Sequence, residues 1–256
     1  MTEKFRVGLY TSHQVSERDT MRRLWALLSD PIVNARRYGS VERAKTPFAA
    51  KAFDAARQEY EDERRLFVRG EKNGFVASFS RRREGWSNWD IWMNIRELQG
   101  SKMQPWLDWF FRLCNEFSVL YGFGCSVSEH DAKHLRVRRT PTGGAATGAV
   151  GAASQEFLRY LPGLYWLTIL GPELTKAFGA EKINSLPGVR VFQLKSQQIA
   201  ICLDEPVVPK DMDGRLQKER KLADILGAQY FFDRNRADLK FGQVPELLQT
   251  LEKLGR

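Results

Sequence analysis

Between Met103 and Tyr121, apolar residues recur at Trp106, Trp109, Phe110, Leu113, Phe117 and Leu120, the last five at offsets of 3, 4, 7, 11 and 14 from the first. That spacing puts all six on one broad stripe of an α-helix, and so wide a stripe has to be buried against other elements. Ser101 with Gln104 can form a capping box ahead of it, and Pro105 is tolerated in the first turn. Strand patterns precede this helix. Phe5, Val7 and Leu9 alternate with Arg6 and Gly8, which predicts a strand with one buried face. Trp89, Ile91, Met93 and Ile95 alternate with Asp90, Trp92, Asn94 and Arg96, which predicts a half-buried strand. Leu66–Val68 and Phe75–Phe79 flank the turn residues of 70–74 and read as a hairpin. Met21, Leu24, Trp25 and Leu28 mark a helix stopped by Asp30-Pro31, and Phe48–Glu63 reads as another.

The stretch 140–153 is Gly/Ala-rich and nearly free of charge, and it is expected to be a loop or seam between two halves. Beyond it, Leu164–Leu170 is apolar on both faces except at Thr168, as in a central strand covered on two sides. Gly171-Pro172-Glu173 opens a short helix that Gly179 stops, and Val189–Leu194 with Ile199–Leu203 form two strands about a polar turn. Leu216, Leu222, Ile225 and Leu226 belong to one helix and Glu246–Leu254 to another. This order predicts an α+β fold: a mixed or antiparallel sheet packed with helices in a single domain, residues 1–256, its two halves joined by the Gly/Ala-rich seam.

With 256 residues, 43% of them hydrophobic, the chain can fill a substantial core. Its 40 Lys and Arg exceed its 31 Asp and Glu, giving a net charge of +9 concentrated in the front half. No run approaches the roughly 18 apolar residues of a membrane helix, and Met1–Tyr10 lacks the pattern of a secretory signal. A soluble, cytoplasmic protein with no membrane partner is therefore expected. Cys114, Cys125 and Cys202 stand far apart, so neither a disulfide framework nor a zinc knuckle is indicated.

Candidate chemical motifs fail on their details. His130 and His134 have the i, i+4 spacing of zinc ligands, but Asp131 occupies the place of the catalytic Glu, and a solvated surface segment is the better reading. Gly124-Cys125-Ser126-Val127-Ser128 lacks the second glycine of a nucleophile elbow and follows an apparent helix, so Cys125 reads as a small core residue. Gly143 and Gly148 are followed by Ala149-Val150, without the Lys-Ser or Lys-Thr of a phosphate loop. Asp90 with Asp131 and Lys133 would be needed together for a metal-dependent nuclease, and no strand pattern holds Asp131 rigid. These failures predict no catalytic residue, no metal, no cofactor and no enzymatic activity. Arg81, Arg82 and Arg83 beside Trp86, Trp89 and Trp92, with Arg136, Arg138 and Arg139 downstream, supply the ingredients of single-stranded nucleic-acid binding, the alternative reading.

Tyr160–Gly179 runs from an aromatic-rich strand through Gly171-Pro172 into a short helix and a glycine. Leu186-Pro-Gly-Val-Arg-Val191 and Ile199-Ala-Ile-Cys-Leu-Asp-Glu-Pro206 then form a hairpin ending in acidic residues and proline. Across residues 158–210 this resembles the type VI secretion immunity proteins, in particular the family that protects against VRR-type nuclease effectors, with the immunity protein 52 family related to it. The resemblance implies a non-enzymatic partner of a cognate toxin effector, shielding the toxin's active site by forming a stoichiometric complex. It assigns no contact residues. Two surfaces are candidates from the residues themselves: an acidic loop of Asp204, Glu205, Asp211 and Asp213, and the basic, aromatic region of Arg81, Arg83 and an exposed Trp92.

Overall fold

The computed structural model describes residues 3–71, 74–81, 86–139, 145–149 and 160–232. The front half supplies β1 (Lys4–Thr11), α1 (Arg18–Leu28), β2 (Ala35–Gly39), β3 (Thr46–Pro47) and α2 (Phe53–Glu63). It continues with β4 (Arg65–Gly70), β5 (Val76–Arg81), β6 (Ser87–Asn94), α3 (Met103–Glu116) and β7 (Val119–Ser126). Then come α4 (Val127–His134), β8 (Leu135–Arg139) and β9 (Ala145–Ala149). The back half adds β10 (Leu167–Leu170), α5 (Pro172–Phe178), α6 (Ala180–Asn184), β11 (Val189–Gln193), β12 (Ile199–Leu203) and α7 (Met212–Leu226).

Ten of these strands form one sheet in the order β11-β12-β10-β7-β1-β6-β5-β4-β2-β3, with every neighbouring pair antiparallel. The α+β class is as expected, and of the two sheet types foreseen the antiparallel one is present. The stretch read as a loop is in part a strand: Ala145–Ala149 pairs with Leu135–Arg139 in a separate two-stranded ribbon. Small residues at 145–149 carry little hydrophobic signal, so strand periodicity does not reveal them. Strands from both sides of that stretch also share the large sheet, because β7 pairs with β10. The helix expected at Glu246–Leu254 lies outside the described residues.

Several boundaries differ from expectation. The long helix ends at Glu116, and Leu120 belongs to β7, a strand whose residues are buried throughout. Its start carries no capping box, since Ser101 lies in a preceding 3₁₀ turn. Likewise α2 begins at Phe53, not Phe48, because Thr46–Pro47 pairs with β2.

The middle strand β1 has two covered faces where one was expected. Phe5, Val7 and Leu9 face α3: Phe5 meets Trp106 edge-on at 5.1 Å, while Trp89 of β6 meets Phe117 at 4.8 Å. Trp109 Nε1 donates to Leu27 O of α1 at 3.0 Å, tying the two helices of this layer together. Close approach requires glycine opposite these rings, since a Cβ at Gly124 would sit 2.8 Å from Phe5 Cζ. The opposite face carries Arg6, Gly8 and Tyr10 beside Tyr121, Phe123 and Cys125 of β7, and it is covered in part by α4.

Candidate functional site

Helix α4 leaves β7 without a loop. Ser126 caps it, accepting from Glu129 N–H at 3.1 Å. Its buried side is formed by Glu129, His130 and His134, so the expected solvated segment is instead an inward-facing one. Apolar periodicity does not show this, because the residues that point inward are charged or titratable. They are satisfied by specific partners, as burial of polar groups demands.

Glu129 and Lys133 on α4 face Arg215 and Glu219 on α7. Glu129 is fully buried and accepts from Arg215 Nη1 at 2.8 Å, from Lys133 Nζ at 3.3 Å and from Trp166 N–H at 3.1 Å. Arg215, 1% exposed, also donates to Glu205 Oε2 at 2.9 Å and to Pro206 O at 2.7 Å. Lys133 reaches Glu219 Oε2 at 2.5 Å and the Leu164 carbonyl, and it lies 3.7 Å above the Tyr165 ring. Lys218 completes the group on Glu205 Oε1 at 2.8 Å. Burial raises the Glu219 carboxyl to about 8 despite the neighbouring Lys133 ammonium, and its Oε1 has no hydrogen-bond partner. A cavity of about 470 Å³ opens beside Lys133 and Glu219, walled by Leu164, Ala223, Phe231 and Phe232.

A second polar station sits on β1. Arg6 donates to Asp90 Oδ1 at 3.0 Å and to His130 Nε2 at 2.8 Å, and its guanidinium stacks 4.9 Å over Trp92. A guanidinium only donates, so the His130 ring nitrogen facing it accepts and the imidazole is neutral. Burial first, then the Arg6 charge, holds the imidazole far below its usual 6.5. Cys125 beneath them is fully buried, and burial pushes its thiol well up, away from the reactive thiolate. Cys125 is the small core residue expected, one place before the end of β7, and the strand runs straight into α4 with Ser126 serving as the cap. Among the described residues, no group of three or more His, Cys, Asp or Glu is placed to hold a metal ion.

The expected contact residues are not gathered at one place. Asp204 pairs with Arg190 at 3.2 Å, Glu205 turns inward to Arg215, and Asp211 caps α7 by accepting from Gly214 N–H at 3.0 Å. Of the acidic loop, Asp204, Asp211 and Asp213 are all exposed, Asp213 in the first turn of α7. Trp92 is half-buried under Arg6 and not exposed as expected, while Trp86 and Trp89 are in the core and offer no ring to a base. Arg81 is exposed at the end of β5 opposite Ser87, and alternation puts it on the other sheet face from Trp92. Arg83 lies outside the described residues.

No protein-family model matches the chain, and no curated protein matches it. Among solved structures, the fold is similar to that of the Pseudomonas aeruginosa T6SS protein PA0821, with a TM-score of 0.56 and 14% identity. The likeness covers 99% of this chain and 81% of that one. Among the described residues, no helix is long and apolar enough to cross a membrane.

Proposed function

We propose that this chain is a cytoplasmic immunity protein that binds a cognate type VI effector, a nuclease, and neutralises it by stoichiometric occlusion without transforming any substrate. The observation that carries the reading is the fold likeness to a T6SS protein along 99% of the chain, which joins the separate sequence resemblance at residues 158–210. The chemistry at the obvious reactive groups supports it: a buried thiol held protonated and a neutral imidazole occupied by Arg6 are poorly suited to catalysis.

A chain of net charge +9 does not mimic DNA in a basic nuclease groove. The acidic loop has three of its four carboxylates engaged within the protein. The contact surface in this reading is therefore the basic front half, which covers the effector from an acidic flank. Coexpression with the product of the neighbouring gene tests it: growth arrest by that product alone, growth restored by this chain and a one-to-one complex are expected. Unrelieved toxicity, or turnover of a substrate by the purified chain, overturns it.

A further inference from the structure

At the β2 end of the sheet, Arg36, Arg37, Arg43 and Arg69 line an open cleft of about 410 Å³ together with Gly70 and Glu71. Consecutive residues of a strand point to opposite faces, so Arg36 and Arg37 should not share one. The pairing of β2 with β4 slips between Ala35↔Gly70 and Arg37↔Arg69, and this bulge re-aims the pair so that both line the cleft. The same register sets Arg37 directly opposite Arg69, an arrangement of like charges that costs stability. Arg43 is held in place by its loop: Ser40 N–H donates to Glu59 of α2 at 2.6 Å, and Ala44 N–H donates to Val41 O at 2.9 Å. Internal compensation is small. Glu71 lies 3.6 Å from Arg36, Arg69 donates to the Glu42 carbonyl at 3.2 Å, and among the described residues no carboxylate pairs with Arg37 or Arg43.

We propose that this cleft binds an acidic segment of a protein partner, whose carboxylates lie between the four guanidinium groups. Local repulsion kept in a folded chain marks a site built for an external anion. Arginine forks match carboxylates in pairs, and the bulge brings two of them side by side. A nucleic-acid strand would also need free rings for its bases, and the nearby rings are occupied: Phe48 stacks on Trp25 at 4.2 Å and Phe67 carries Arg65 at 5.8 Å. The proposal deepens the immunity reading by naming the partner's chemistry. It rests on that reading only for who the partner is.

The test uses the full chain with a fluorescein-labelled octaglutamate peptide and, separately, a labelled oligothymidine. Peptide binding that weakens with salt and falls roughly tenfold or more in the Arg37→Ala/Arg43→Ala variant is expected, with Arg220→Ala on α7 unchanged. The thermal midpoint of the double variant should equal or exceed that of the parent, which separates lost binding from lost folding. No peptide binding, equal binding by the double variant, or tighter binding of oligothymidine through the same arginines overturns the proposal. A toxin that is still neutralised by the double variant, with peptide binding lost, would leave the immunity reading standing and refute the cleft as its contact.

Discussion

The two faces of the same sheet are closed by different physics. On the α3 side, Phe5 and Trp89 meet Trp106 and Phe117, and Phe75 meets Trp109, in an apolar layer where rings pack edge to face. Around α4 and α7, the cover is made of Glu129, Lys133, Arg215 and Glu219, with neutral His130 beside Arg6. An apolar layer tolerates exchange among groups of similar volume, whereas a network of buried ion pairs and hydrogen bonds depends on each member, because losing one strands a buried charge or polar group on another. The contrast teaches that helix α7 is fastened by charge along a stripe that apolar side chains usually occupy.

The largest expected effects expose that contrast. Trp106→Ala should cost about 3–5 kcal/mol in chemical denaturation, and Phe5→Ala added to it should cost more still. Arg215→Met should also cost about 3–5 kcal/mol, but adding Glu129→Met should restore much of the loss, since the buried Glu129 carboxylate is otherwise left to share Lys133 with Glu219. A double variant weaker than Arg215→Met alone would erase the distinction between the faces.

The dependence on pH sharpens it. Glu219 binds its proton more tightly folded than unfolded, so its contribution is complete below the unfolded carboxyl value near 4.5 and is lost as pH rises through about 8. Glu219→Gln should flatten that decline in a denaturation series from pH 5 to 9. His130 has the opposite sign: it is neutral when folded, so stability falls as pH drops below about 6.5, where the unfolded imidazole takes up a proton. His130→Gln should reduce the acid slope and leave the alkaline one. The smallest expected effect is at the rim: Asp211→Ala removes the α7 cap and should cost about 1 kcal/mol.

Legibility in the sequence follows the same division. The α3 layer can be read because Trp106, Trp109, Phe110 and Leu113 repeat with helical period, and all four are buried. The hairpins β4–β5 and β11–β12 are visible through their turns. The ion network is not, because on α7 Arg215 and Glu219 occupy the inward stripe ahead of Leu222 and Leu226, where a hydrophobicity pattern registers surface. A usable signal is present: Glu129 with Lys133 and Arg215 with Glu219 are opposite charges at i, i+4 on two different helices. The same spacing also describes ordinary solvated helix faces, so only the fold distinguishes the two. Glu205 shows the converse: in sequence it reads as part of an acidic surface, and in the fold it anchors Arg215 and Lys218.

The most direct test of the functional account is a titration. The product of the neighbouring gene is assayed for DNA cleavage and held at fixed concentration, and cleavage is followed as this protein is added. Occlusion predicts a linear fall that reaches zero at one equivalent, with no product formed by this protein alone. Cleavage that continues undiminished past several equivalents would contradict it.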